Sequence, residues 1–270
     1  YTLSLHDALP IYQPVMEPLL KATHVSEVFG GLKAVSDFNL HLNPGELVGL
    51  IGPNGAGKTT AFNLFTGVYQ PTEGAIEFDG RSIVGLKPYQ ITQRGIARTF
   101  QNIRLFSELT VLDNVRIAFH DHVKYTVAEA VLRVGRYFDE EARVTEESRK
   151  LLSIFKLEDK AEETAKNLPY GAQRRLEIAR ALAAKPKLLL LDEPAAGMNP
   201  QETQELMDMI RWIRDQFNLT VLLIEHDMSL VMGICERIYV LEYGQIIAAG
   251  TPEEIDRKST RLNSSHTNRS

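Results

Sequence analysis

A single cysteine, Cys235, occurs among 270 residues. One thiol cannot build an internal disulfide framework, and the count fits a reducing compartment, with Cys235 read as a small buried apolar side chain. Long apolar runs are missing too. Stretches such as Leu188–Leu191 and Leu219–Ile224 fall far short of the ~20 residues that a membrane-spanning helix requires, so any membrane role is expected to run through a protein partner. There is no basic surplus either: 30 Lys and Arg against 35 Asp and Glu give a formal charge of −5, which offers no electrostatic footprint for nucleic acid. No internal repeat and no low-complexity stretch is visible between the two ends. What is present, 44% hydrophobic residues over this length, suffices for one large core or two small ones.

The two ends read as foreign. Tyr1–Ile11 (YTLSLHDALPI) and Asp256–His266 (DRKSTRLNSSH) match translations of opposite short-read sequencing adapters. Residues 1–11 and 256–270 are therefore expected to be adapter-derived and are set aside for fold reasoning. This leaves a domain over 12–255, with Met16 as a candidate start. Taking away the two ends removes two acids and four bases, so the remaining net charge is −7.

Gly52, Pro53, Asn54, Gly55, Ala56, Gly57, Lys58 and Thr59 fit the pattern G-x-x-x-x-G-K-[ST]. The apolar run Leu47–Ile51 precedes them and the helix-compatible stretch Thr60–Phe65 follows, which is the strand, loop, helix context that a phosphate-binding loop needs. Glycines let successive backbone N–H groups face inward, and the helix N-terminus adds partial positive charge, so the loop is an anion socket. Lys58 is expected to reach β and γ phosphates as a point charge, Thr59 to offer its hydroxyl to Mg²⁺, and Thr60 to lie at the same helix start. A GTP switch protein would also carry an Asn-Lys-x-Asp base-reading motif, and the sequence has none.

Residues 24–51 alternate apolar and polar positions with turn signals at Phe29-Gly-Gly31 and Asn43-Pro-Gly45, predicting short antiparallel strands that continue at 76–79. From about Leu109 to Lys166 the chain turns charged and helical in period, with Glu140–Lys150 resembling an exposed helix face, and an inserted helical subdomain is expected over about 107–168. Helices are predicted at Gln173–Ala184 and Gln201–Phe217, and buried strands at Leu188–Leu191 and Val221–Ile224. Strands separated by helices imply a parallel sheet with its ligand site at the strand C-terminal ends.

Asp192 and Glu193 place two acids at the mouth of a buried strand. Asp192 is suited to the Mg²⁺ shell, and Glu193 to polarising a water for in-line attack on a γ phosphate. His226 ends the next strand, either as a donor to the γ phosphate, as a group that positions the water, or as a structural imidazole. Gln101 is a neutral side chain able to ligand Mg²⁺ and sense the γ phosphate. The stretch Leu168-Pro-Tyr-Gly-Ala-Gln173 puts a Gly-containing turn at a helix start, a second anion-binding end that a nucleotide held by one phosphate loop in the same chain would not need.

Taken together and in order, these motifs resemble the ATP-binding cassette (ABC) ATPases over essentially all of 12–255. The resemblance implies an α/β phosphate-loop fold of the ABC type: a mostly parallel sheet core, an antiparallel β subdomain and an inserted helical subdomain. It also implies ATP and Mg²⁺ as ligands, with Thr59, Gln101 and Asp192 at the metal and Phe29 stacking on adenine. Two cassettes of this family pair head to tail, so that Tyr170, Gly171 and Ala172 of one chain would close over the nucleotide of the other. Two departures stand out: Pro169, Tyr170 and Ala172 replace the Ser, first Gly and Gln of the usual Leu-Ser-Gly-Gly-Gln signature, and Asn199 stands where Asp is common. Phe29–Val35, Arg98–Phe106, Gly171–Arg180, Glu193–Pro200 and Ile224–Met232 further resemble the larger ATPase subunit of bacterial branched-chain amino acid importers. That resemblance implies a heterodimer with a paralogous cassette and a membrane permease docked near Gln101–Phe106. It also implies an indirect link to a periplasmic or extracellular binding protein, no nucleic acid, and a place on the cytoplasmic face of the plasma membrane. Urea or amide import and lipopolysaccharide export are the related alternatives. A soluble ABC clamp would bring two cassettes or a long coiled-coil insertion, and neither is present.

Overall fold

The computed structural model describes residues 17–119 and 137–257. The expected foreign ends lie outside the described residues except for Asp256 and Arg257, which close a helical segment over 252–257; Met16 and residues 120–136 of the expected insert lie outside them as well. In chain order come β1 (Leu20–Phe29), β2 (Leu32–Leu42), β3 (Leu47–Ile51) and α1 (Lys58–Phe65). Next are β4 (Glu73–Phe78), β5 (Arg81–Ser82), α2 (Pro88–Gln93) and β6 (Ile96–Arg98). The insert contributes α3 (Val111–Ala118) and α4 (Tyr137–Ile154), and the chain returns through α5 (Tyr170–Ala183), β7 (Leu188–Asp192) and α6 (Pro200–Phe217). It closes with β8 (Thr220–Ile224), α7 (Met228–Ile234), β9 (Arg237–Glu242) and β10 (Gln245–Gly250).

Two sheets result. One is antiparallel, ordered β2-β1-β4-β5; the other is ordered β10-β9-β3-β8-β7-β6, parallel throughout except for the β9–β10 hairpin. Every residue of β3, β7 and β8 is buried, as a strand covered on both faces demands, which is why these segments read as unbroken apolar runs. Their side chains divide by alternation. Leu47, Ile51, Leu189, Leu191, Val221 and Leu223 enter one core, shared with α5, α6 and the insert. Val48, Leu50, Leu188, Leu190, Leu222 and Ile224 enter the other, shared with α1 and the antiparallel sheet.

Local signals explain the boundaries. Asn199 caps α6, its Oδ1 accepting the Glu202 N–H at 2.9 Å while Glu202 Oε2 accepts the Asn199 N–H at 3.1 Å, a reciprocal box with Pro200 at the first helical position. Leu206, Met207, Ile210 and Ile213 then form the buried stripe. The predicted antiparallel run over 24–51 holds for β1 and β2 but not for β3, which pairs in parallel with β8 and β9 (Val48 opposite Leu222, Gly49 opposite Ile238). Helix α5 starts at Tyr170, earlier than the predicted Gln173, because Pro169 sits at the N-cap and the first turn tolerates Tyr170-Gly171-Ala172. The two sheets are tied beside the phosphate loop: the Ser36 N–H donates to the Gly244 carbonyl at 2.9 Å, and the Gly244 N–H donates to the Ala56 carbonyl at 2.9 Å.

Candidate functional site

β3 delivers the phosphate loop to the C-terminal edge of the parallel sheet. Backbone close approach fixes two of its glycines. A Cβ at Gly52 would clash with the Leu241 carbonyl oxygen, and one at Gly57, which adopts φ +106° as the N-cap of α1, would sit 2.6 Å from the Ala34 carbonyl oxygen. Lys58 opens α1 and is 7% exposed. Its ammonium curls back over the loop, donating to the Gly52 carbonyl at 2.6 Å and the Pro53 carbonyl at 3.0 Å. Burial holds its pKa below the usual lysine range, while Glu193 and then Asp192 pull the other way, so both acids lie within electrostatic reach of it.

β7 ends in Asp192, which is 4% exposed. Glu193 follows in the left-handed region at φ +46°, a conformation that costs a non-glycine residue on the order of 1 kcal/mol and that clusters at functional sites. Its N–H donates to the Ile224 carbonyl at 2.9 Å, and its Oε2 accepts from Gln101 Nε2 at 2.8 Å. Gln101 and Glu193 therefore meet directly, although 92 residues separate them.

Two cavities flank the loop, and Gln101, Glu193 and Asn54 line both. One, about 630 Å³, takes Gly55, Ala56, Gly57, Lys58, Thr59 and Thr60 from the loop side and Leu32, Lys33 and Tyr243 from the other. The second, about 600 Å³, takes Gly52 and Pro53 together with an exposed His226. Both volumes are of the size of small-molecule sites. Phe29 lies at the end of β1, 41% exposed and edge-on to Tyr69 at 5.0 Å, and is not among the residues lining either cavity. Nor are Tyr170, Gly171 and Ala172. These begin α5 against the loop after Glu193: a Cβ at Gly171 would lie 3.4 Å from Glu202 Oε1, and one at Gly197 would lie 3.5 Å from the Tyr170 ring. Of the three only Tyr170 is exposed.

Sequence reasoning assigned no role to several residues that hold these groups. Arg98, the last residue of β6, donates from Nη2 to Asp192 Oδ2 at 2.8 Å and from Nη1 to Asn63 Oδ1 of α1 at 2.6 Å. Arg174 and Glu177, one turn apart on α5 and fully buried, pair at 2.8 Å. Arg174 also donates to the carbonyls of Phe100 and Gln101 at 2.6 and 2.7 Å, while Glu177 Oε1 accepts the N–H groups of Phe100 and Arg104 at 3.4 and 3.2 Å. The backbone around Gln101 is thus bolted to the helix that begins at Tyr170. Glu225, 2% exposed, accepts the Ala195 N–H at 3.2 Å and lies 3.8 Å from His226 Nδ1. Burial pushes its carboxyl upward from the usual range, with the Ala195 N–H and His226 opposing. An arginine or glutamate inside an otherwise apolar helix or strand period was the available signal; its partner in each case lies on a different element.

The donors expected to meet Mg²⁺ are a hydroxyl, an amide oxygen and a carboxylate, a hard oxygen set that suits this ion. Among the described residues no group of three or more His, Cys, Asp or Glu side chains is arranged to hold a metal alone.

A phosphate loop opening a helix, an acid pair at the end of the next-but-one strand and a parallel sheet define a phosphate-loop nucleoside triphosphatase. The ABC transporter family model matches residues 35–196. The high-affinity branched-chain amino acid transport ATP-binding protein LivG of Escherichia coli (strain K12) is 47% identical over 239 residues, 88% of this chain and 94% of that protein. The lipopolysaccharide export system ATP-binding protein LptB of Haemophilus influenzae is 36% identical over 237 residues, 88% of this chain and 92% of that one. Among solved structures, the ADP conformation of MJ1267, an ATP-binding cassette of an ABC transporter, superposes with a TM-score of 0.76 at 31% identity, covering 88% of this chain and 92% of that one. The chain belongs to the ABC transporter family, as one of its ATPase cassettes.

Proposed function

We propose that this cassette hydrolyses ATP to drive a membrane importer of branched-chain amino acids. The observation that carries the reading of the site is the Gln101–Glu193 hydrogen bond above the phosphate loop; the cargo rests on the 47% identity to LivG against 36% to LptB. The loop amides of Gly52 to Thr59 cradle the phosphates, and Lys58 exchanges its two loop carbonyls for β and γ phosphate oxygens. Phe29 stacks on the adenine. Thr59, Gln101 and Asp192 would hold Mg²⁺, whose charge would offset that of the β and γ phosphates. Glu193 polarises the attacking water, its carboxylate oriented by Gln101, and His226, which lines the neighbouring cavity, donates to the γ phosphate.

In the same reading a paralogous cassette supplies the missing half of the site. Tyr170, Gly171 and Ala172 of each chain close over the other's nucleotide, with the Gly171 amide and the α5 dipole in place of the signature serine hydroxyl. The permease docks near Gln101–Phe106, which puts this chain at the cytoplasmic face of the membrane, in indirect contact with a binding protein. Among the described residues no helix is long and apolar enough to cross a membrane, in keeping with attachment through such a partner.

The test is ATP hydrolysis in vesicles holding the chain, a candidate permease and a partner cassette, with and without leucine-loaded binding protein. Stimulation by leucine that Glu193→Gln abolishes is the expected result. Hydrolysis indifferent to leucine removes the cargo assignment and directs the search to lipopolysaccharide, as the LptB similarity would then favour.

A further inference from the structure

Arg98 combines a buried position with a charged partner at the metal end of the site. The ion pair with Asp192 is 2.8 Å long, with side-chain exposures of 5% and 6%. The guanidinium lies between two aromatic faces, 5.3 Å from the Phe62 ring centroid and 4.8 Å from that of Phe100. With the hydrogen bond to Asn63, it fastens β6 to β7 and to the helix that begins with Lys58. Among the described residues, Asp192 Oδ1 carries no hydrogen bond, while Oδ2 is taken by the arginine. The carboxylate is therefore held in one orientation and already faces a permanent cation before any metal arrives.

We infer that Arg98 is a positioning residue for the divalent cation: it fixes the Asp192 carboxylate and, by neutralising it, keeps the site from holding the ion until nucleotide phosphates supply further oxygens. The inference rests on the reading of Asp192 as a metal carboxylate given above. Its physical basis is repulsion. A guanidinium within hydrogen-bonding distance of the ligand oxygen opposes a second cation strongly in a buried setting, where screening by water is weak. Triphosphate oxygens outweigh that repulsion, so ion and nucleotide enter together. An ion pair that merely fastened the strands would leave metal affinity untouched when broken and lower only the thermal stability.

The experiment measures Mn²⁺ binding to the nucleotide-free full chain by the electron paramagnetic resonance of free Mn²⁺. It compares the unmutated chain with Arg98→Met, Arg98→Gln and Arg98→Lys, each checked for folding by circular dichroism. Removing the charge in Arg98→Met should tighten Mn²⁺ binding about tenfold or more. Arg98→Gln, which removes the charge but keeps amide donors, should move the same way, whereas Arg98→Lys, which keeps the charge, should stay close to the unmutated chain. Adding Asp192→Asn to either neutral variant should cancel the gain. Neutral variants that fold and bind Mn²⁺ no more tightly than the unmutated chain overturn the inference. Binding of a fluorescent N-methylanthraniloyl ATP with Mg²⁺ present separates the two levels. If it persists while Mn²⁺ affinity is unmoved, only the role of Arg98 falls; if the unmutated chain binds no nucleotide, the ATP reading falls and takes this inference with it.

Discussion

Arg174→Met removes a guanidinium that is 0% exposed and leaves Glu177, 1% exposed, as a buried charge without its partner. Four donor contacts disappear: to Glu177 at 2.8 Å, to the Phe100 and Gln101 carbonyls at 2.6 and 2.7 Å, and to the Tyr170 hydroxyl at 3.3 Å. Breaking a buried, hydrogen-bonded pair from one side costs about 3–5 kcal/mol. For a domain of this size each kcal/mol lowers Tm by about 2–4 °C, so the melting point should fall by about 6–20 °C. Adding Glu177→Gln removes the orphaned charge while its amide oxygen still accepts the Phe100 and Arg104 N–H groups, and the double variant should regain more than half of the loss. Thermal unfolding followed by circular dichroism at 222 nm reads both. A single variant that melts within about 2 °C of the unmutated chain, or a double variant no better than the single, refutes the account of this pair as a desolvated charge couple.

Glu193→Gln should cut ATP hydrolysis by about 10²–10⁴-fold while nucleotide affinity stays close to that of the unmutated chain; normal turnover would move the general base elsewhere, with His226 the next candidate. Asn199→Ala deletes the α6 cap and should cost about 1 kcal/mol, read as a Tm lower by about 2–4 °C. Gly52→Ala should abolish nucleotide binding, because its methyl meets the Leu241 carbonyl; retained affinity would show that the loop tolerates displacement. Burial pushes the Cys235 thiol up to about 12, so iodoacetamide at pH 8 should leave it unlabelled in the folded chain and label it in urea.

The parts of the fold that were legible in the sequence are those whose cause is local. β7 and β8 read as strands because both faces are buried and the apolar run is short. The phosphate loop read as a site because its glycines and Lys58 stand at fixed spacing, and Asp192 and Glu193 because they follow a buried strand. What could not be read is set by pairing across long separations. β3 sits between β8 and β9, which arrive from the far end of the chain, so its apolar run marks a buried strand while its parallel partners lie outside residues 24–51. β1 also blurs its own period, since register shifts between Ala22 and Val25 and beyond break the alternation of faces. Asn199 stood out in the sequence only as a replacement for a common Asp; that its side chain caps α6 is decided by the helix boundary. The Arg98–Asp192 pair spans 94 residues and the Arg174–Phe100 contact 74, distances over which a single sequence carries no pairing information.

The tie among Ser36, Ala56 and Gly244 has a mechanical consequence. The hairpin that follows β9 is clamped on one side to the antiparallel sheet and on the other to the phosphate loop, with the Ala34 carbonyl so close to Gly57 that no side chain fits between. The antiparallel sheet, the hairpin and the loop therefore move as one plate. The insert is joined to that plate differently: its helices α3 and α4 pack on α5, whose buried Arg174–Glu177 pair grips the backbone on either side of Gln101. A load applied to the insert would reach the nucleotide through that grip, at the glutamine that holds Glu193, and the plate would serve as the fixed anvil against which it acts.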